Sequence, residues 1–249
     1  MAGLFVTGTD TAAGKTVLSC AIVAALRSQG RSVQAFKPLI TGLQEPAEDP
    51  WPHDHQLLAQ LSGADPEEVT LLRYGPPVSP HLAAEMAGQR LDPQALLAGI
   101  RDRVKPGHLT IVEGAGGLLV PIANGYDMRA LAGDLGLPLL IAARPGLGTI
   151  NHTLLTVEAA RQAGLHVAGV VLTPWPSAPS LMERSNRATI EELAGLEVSV
   201  LPRVPLPDGG LLARAGASLP LARWLPGSPE PTLVGCPEPT LVGSPEQTR

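Results

Sequence analysis

Gly3-Leu4-Phe5-Val6-Thr7 runs directly into Gly8-Thr9-Asp10-Thr11-Ala12-Ala13-Gly14-Lys15-Thr16, and that into Val17-Leu18-Ser19-Cys20, near the start of this 249-residue chain. The order is apolar strand, small-residue loop, helix. It reads as a phosphate-binding loop, because backbone N–H groups and the positive end of a helix converge on a phosphate only where small residues and glycines allow close approach. Ala12, Ala13, Gly14, Lys15, Thr16 and Val17 are thereby expected to bind nucleotide. Lys15 lies against the β/γ-phosphates and the Thr16 hydroxyl serves Mg²⁺. The common pattern has four residues between its two glycines, whereas Gly8 and Gly14 are separated by five. The loop is a variant.

Lysine usage points to a second position. Of 18 Lys and Arg residues, the lysines are Lys15, Lys37 and Lys105, so arginine is used wherever a positive charge suffices. A compact ammonium is not replaceable by a planar guanidinium where a phosphate must be met as a point charge. Lys37 joins Lys15 as a candidate catalytic residue.

The rest of the chain alternates. Ser32 to Phe36, Leu109 to Val112, Leu139 to Ala143 and Val167 to Leu172 are short apolar runs of the kind buried on both faces of a parallel sheet. Helical patterns fall between and after them, at Val17 to Ser28, Leu57 to Leu61, Ala95 to Val104, Thr153 to Ala163 and Ser180 to Leu193. Ser79-Pro80 and Asp92-Pro93 read as N-caps followed by proline at the first helical position. The expectation is an α/β fold: a doubly wound, mostly parallel sheet in a single P-loop NTPase-like domain over residues 1–225. Residues 226–249 change character, with Pro229-Glu230-Pro231-Thr232-Leu233-Val234-Gly235 repeated eight residues later, and read as a disordered, solvated low-complexity tail.

Composition narrows the function. A net charge of −5 and a sequence without a basic, aromatic-interleaved stripe argue against nucleic-acid binding. Cys20 and Cys236 lack metal-ligand spacing, Met1 leads straight into a strand without a secretion signal, and the uncharged run Gln162 to Met182 is interrupted by Pro174, Pro176 and Pro179 too often for a membrane helix, so a cytoplasmic location is expected.

Thr110-Ile111-Val112-Glu113-Gly114-Ala115-Gly116-Gly117 places a carboxylate at the carboxyl end of a buried strand, followed by small residues that keep the backbone low. In a doubly wound sheet that edge also carries the phosphate loop, so Glu113 can approach the same Mg²⁺ as Thr16, and Gly114, Ala115 and Gly116 the nucleotide.

Together these motifs resemble the dethiobiotin synthetase family, over residues 3 to about 207. The resemblance rests on Val6 to Thr11 with Gly14-Lys15-Thr16, on Lys37-Pro38 with Thr41-Gly42, on Val112 to Gly117, and on Gly148-Thr149-Ile150-Asn151-His152. The family shares the five-residue loop spacing. It implies an ATP- and Mg²⁺-dependent cyclo-ligase that converts 7,8-diaminononanoate and CO₂ into a ureido ring by way of a carbamate and its mixed anhydride with phosphate. The same resemblance implies that Lys37 stabilises the carbamate, that Thr11 takes part beside it, that Asp54 is a magnesium-site acid, and that Thr41 and the backbone of Gly117 contact the diamine. His53 and His55 flank Asp54 but are read as loop residues, since Mg²⁺ prefers oxygen ligands. Asn151 is expected to N-cap a helix at Thr153, and by resemblance to serve the substrate carboxylate across a homodimer interface. Many family members follow the strand here running Val167 to Leu172 with Asn-Asp; this chain has Thr173-Pro174, leaving the loop Pro202 to Pro207, with Pro205, Leu206 and Pro207, to meet the nucleobase.

A different class remains open at this point: a partitioning or regulatory ATPase of the deviant P-loop group, which places an extra lysine early in the loop where this chain has Thr9-Asp10-Thr11. A glutamine-dependent amide ligase would need a glutaminase domain with a nucleophilic cysteine, for which the length and the two cysteines leave no room.

Overall fold

A computed structural model describes residues 1–225. The expected tail, with Cys236 in it, lies outside the described residues.

The chain runs β1 (Ala2–Gly8), α1 (Lys15–Ser28), β2 (Val33–Phe36), β3 (Leu39–Ile40), α2 (Asp54–Ser62), α3 (Pro66–Val69) and β4 (Leu72–Arg73). It continues through α4 (Pro80–Met86), α5 (Pro93–Asp102), β5 (Leu109–Gly117), β6 (Pro121–Ala123), β7 (Tyr126–Asp127) and α6 (Met128–Leu135). The last elements are β8 (Leu139–Ala143), α7 (Thr149–Gln162), β9 (Val167–Trp175), α8 (Leu181–Ala194), β10 (Val198–Pro202), α9 (Gly209–Ala217) and α10 (Leu221–Trp224).

Six strands form one sheet in the order β10-β9-β8-β1-β5-β2, and every pairing in it is parallel. Strand alternation divides the core in two. Leu4, Val6, Leu140 and Ala142 face one side with residues of α1, α2 and α9; Phe5, Leu139, Ile141 and Ala143 face the other with residues of α5, α6, α7 and α8. The sheet is therefore covered on both faces, which is why its strands read as continuous apolar runs. Helix α9 lies so close on α1 that a Cβ at Gly216 would stand 2.1 Å from the Ala21 carbonyl oxygen. That contact braces the helix on which the phosphate loop is mounted.

Several boundaries differ from the sequence expectation: β9 runs past Leu172 to Trp175, so Thr173-Pro174 lies within the strand rather than after it, and three others also bear on function. Strand β5 continues past Val112 to Gly117, so Glu113 sits inside the strand, with Gly117 in register beside Gly8. Helix α2 begins at Asp54 rather than Leu57, which puts the acid in its first turn. Helix α7 begins at Thr149 on a Gly148 cap at φ 87°, so Asn151 lies within its first turn and is not the N-cap. Glycine's access to the left-handed region at Gly148 starts the helix earlier than an asparagine cap would.

Candidate nucleotide and metal site

The phosphate loop connects the carboxyl end of β1 to the first residue of α1. Ala12 and Gly14 both have positive φ, 55° and 89°. Alternating left-handed residues of this kind turn successive N–H groups to one side and make an anion-binding concavity. For Ala12 the conformation costs about 1–3 kcal/mol, the range for strained backbone held by its surroundings. A Cβ at Gly14 would stand 2.6 Å from Thr173 Cγ2, so Thr173, buried at the end of β9, closes the loop from behind.

Four of the expected residues converge in front of this loop. Thr16 Oγ1 donates to Glu113 Oε1 at 2.8 Å, and Lys37 Nζ donates to the same oxygen at 2.8 Å. Lys37 also pairs with Asp54. Lys37 and Glu113 have side-chain exposures of 7% and 0%, whereas Asp54 retains 40%. The ammonium is thus a buried bridge between two carboxylates delivered by different elements, α2 and β5. Lys15 Nζ turns back to donate to the Asp10 carbonyl oxygen at 3.0 Å.

These contacts set the protonation states. Burial works against the Lys37 ammonium, but Glu113 and Asp54 together outweigh it and hold its pKa above the ordinary lysine value. Burial likewise works to raise Asp54, and Lys37, Thr16 and Lys15 reverse it, leaving the carboxyl below its usual range. Lys15 goes the other way: burial, with the Lys37 ammonium nearby, lowers its pKa against the opposing pull of Glu113 and Asp54.

Mg²⁺ fits the residues present. Glu113 Oε2 is buried and has no hydrogen-bond partner, leaving a carboxylate oxygen available to a cation beside the Thr16 hydroxyl. Together with Asp54 the donors are all oxygens, the set Mg²⁺ selects. Among the described residues no group of three or more His, Cys, Asp or Glu is placed to hold a metal. His55 is buried with Nδ1 unpartnered, and burial lowers its pKa; His53 precedes α2.

Of the remaining candidates, Ala13 is buried within the loop, and Gly117 pairs in register with Gly8, where a Cβ on it would stand 3.4 Å from the Gly8 carbonyl oxygen. Thr11 is on the exposed crest and Thr41 follows β3, with neither hydroxyl bonded to the cluster among the described residues. Asn151 is exposed on α7. Pro205 and Leu206 are exposed beyond β10. Sequence reasoning missed Arg144, whose Nε donates to the Ala12 carbonyl oxygen at 2.9 Å. The chain carries many arginines, and none of the recognised motifs includes this one.

A family model described as an AAA domain matches residues 2–208. The ATP-dependent dethiobiotin synthetase BioD of Mycobacterium avium (strain 104) is 45% identical over 204 residues, covering 81% of this chain and 87% of the relative. The protein of the same name from Bacillus subtilis (strain 168) is 36% identical over 208 residues, covering 82% and 88%. Among solved structures, a ParA family ATPase from Chlorobium tepidum TLS superposes with a TM-score of 0.52 at 11% identity, covering 89% of this chain and 93% of that one. Cobyrinic acid a,c-diamide synthase from Mycobacterium smegmatis gives 0.52 at 17% identity, covering 90% and 95%. At those identities the structural likeness speaks for the fold alone, whereas the family model's match over residues 2–208 includes the described site.

Proposed function

The chain belongs to the family of ATP-dependent dethiobiotin synthetases, and from that premise we propose that it closes the ureido ring of dethiobiotin from 7,8-diaminononanoate and CO₂. One amine adds to CO₂ and loses a proton, giving a carbamate. The carbamate oxygen then attacks the γ-phosphorus and ADP leaves. The second amine attacks the resulting anhydride carbonyl, the ring closes and phosphate departs.

The observation that carries this reading is the Lys37 ammonium, buried and fixed at 2.8 Å from Glu113 Oε1 beside the phosphate loop. It is a fixed positive charge where carbamate and γ-phosphate must meet. Phosphoryl transfer is governed by positioning and by neutralising the transferred oxygens, so a preorganised cation is the group such a site needs. Lys15 exchanges the Asp10 carbonyl for a phosphate oxygen. Thr16, Asp54 and Glu113 would hold Mg²⁺, which would supply positive charge to neutralise the phosphate being transferred. Phosphate release that requires both diaminononanoate and bicarbonate, with the ureido product identified by mass, tests the assignment; release independent of the diamine overturns it.

We also read the protein as a cytoplasmic homodimer. Among the described residues no helix is long and apolar enough to cross a membrane, and Cys20 is free and buried. Leu155 and Leu193 are exposed and line one groove with Asn151 on α7 and α8, an apolar surface that a second copy would cover. Asn151 would then reach the substrate carboxylate of the partner site.

Nucleobase selectivity is expected to be relaxed. An asparagine at the end of β9 could both donate to and accept from adenine. Thr173 instead turns its methyl onto Gly14, and Pro174 has no N–H. Losing a bidentate contact forfeits about 1–3 kcal/mol of discrimination by analogy with base readout. CTP, GTP or UTP should therefore support kcat/KM within about tenfold of ATP, and a preference for ATP above roughly a thousandfold, about 4 kcal/mol, would mean that backbone groups read the base.

A further inference from the structure

We propose that Arg144 is a positioning residue for the phosphate loop: its guanidinium fixes the Ala12–Ala13 peptide so that the loop's N–H groups face the nucleotide. Ala12 is the sole non-glycine at positive φ among the described residues. Positive φ is uncommon for a residue other than glycine and persists where the surroundings offset its cost. Its carbonyl oxygen is the acceptor for Arg144 Nε at 2.9 Å, a contact that spans 132 residues of sequence. In a planar trans peptide the carbonyl and the following N–H point in opposite directions. Holding the Ala12 carbonyl toward Arg144 therefore turns the Ala13 N–H away from it, into the concavity.

The anchor is itself anchored on both sides. Arg144 follows Ala143, which pairs with Leu172 of the neighbouring strand. The next two carbonyls, of Pro145 and Gly146, accept from Asn186 Nδ2 at 3.0 and 3.2 Å, and Asn186 is a buried residue of α8. Strand ladder and amide clamp leave the arginine backbone little freedom. Because the guanidinium is exposed and keeps its charge hydrated, the brace carries little desolvation cost. Lys15 also holds a loop carbonyl, that of Asp10, but must release it to meet phosphate. Arg144 has no such duty and can hold the loop throughout turnover.

This inference rests on nucleotide occupying the loop, so the experiment carries a control for that reading. Binding of the fluorescent analogue mant-ADP with Mg²⁺ is measured for the wild type, Lys15→Ala, Arg144→Met, Arg144→Lys, Ala12→Gly and the double variant Ala12→Gly/Arg144→Met. Arg144→Met should raise Kd about tenfold, with Arg144→Lys intermediate. It should raise the nucleotide KM by a similar factor while kcat changes by less than about threefold, and leave the nucleotide-free Tm within about 2 °C. Ala12→Gly, which removes the strain that the arginine opposes, should recover most of the loss. A Kd within about twofold of wild type in Arg144→Met, when Lys15→Ala weakens binding, overturns the proposal and leaves the nucleotide site standing. If Lys15→Ala is also without effect, the nucleotide reading of the loop fails. A loss that Ala12→Gly leaves untouched would assign the guanidinium to the nucleotide itself and also overturn a positioning role.

Discussion

Lys37→Ala should lower kcat at least about a hundredfold, roughly 2.7 kcal/mol, the scale for removing one preorganised electrostatic group from the transition state. Nucleotide affinity should fall much less, because Lys37 contacts Glu113 and Asp54 rather than the loop. Lys37→Arg should restore little of that activity. The ammonium fills a gap between two carboxylates at 7% side-chain exposure, and a planar fork is wider and aims its donors differently. Removing the lysine has a second consequence that separates charge from chemistry. It strips the buried Glu113 of its cation and leaves it the Thr16 hydroxyl, so Lys37→Ala should lose thermal stability in EDTA and regain more of it than the wild type on adding Mg²⁺. Wild-type-like turnover would remove Lys37 from the mechanism.

How far the sequence announced this site depended on how rare each signal was. Lysine is scarce enough that Lys15 and Lys37 stood out against a background of arginine, and Glu113 stood out because an acid beside four small residues is an unusual way to end an apolar strand. Lys37 and Glu113 meet in the structure beside the phosphate loop, with Thr16 and Asp54 completing the cluster. The strands of the main sheet were readable because burial on both faces makes them continuously apolar. The paired two-residue strands β3 and β4 carry no periodicity, and nothing local marks them. Arg144 and Asn186 were invisible for a different reason: each acts on a backbone carbonyl far away in sequence, and such a contact demands no motif around the donor. Asn151 misled because asparagine is a good cap, while a glycine three residues earlier was better placed to begin the helix. The fold followed from pattern, Lys37 and Glu113 from chemical rarity, Asp54 only from the family resemblance, and the bracing of the loop from none of these.

Glu113→Leu should produce the largest loss of stability, about 3–5 kcal/mol, the cost of removing one partner from a buried ion pair. Leucine fills much of the space on β5, so the deficit reports charge rather than cavity. Lys37, at 7% side-chain exposure, would then keep an ammonium in the interior with Asp54 alone, itself 40% exposed to water. For a chain of this size each kcal/mol moves Tm by about 2–4 °C, so a fall of roughly 10 °C is expected near pH 7. The pH dependence has a definite sign. Lys37 in the intact cluster has its pKa raised above the ordinary 10.5, so its contribution is complete below that value and is lost only as pH climbs through the higher folded value. In Glu113→Leu the opposing desolvation is no longer outweighed to the same degree, so deprotonating the lysine relieves strain, and the gap to wild type should narrow as pH rises from about 7 toward about 10. Adding Lys37→Met should restore most of the lost Tm at pH 7, since two apolar side chains can replace a buried pair at little cost. Activity should not return, because in the proposed mechanism Glu113 supplies a carboxylate for Mg²⁺ and Lys37 the ammonium that meets the carbamate. Double-variant stability no better than that of Glu113→Leu would show that Glu113 acts through packing, and recovered turnover would show that the cluster is structural.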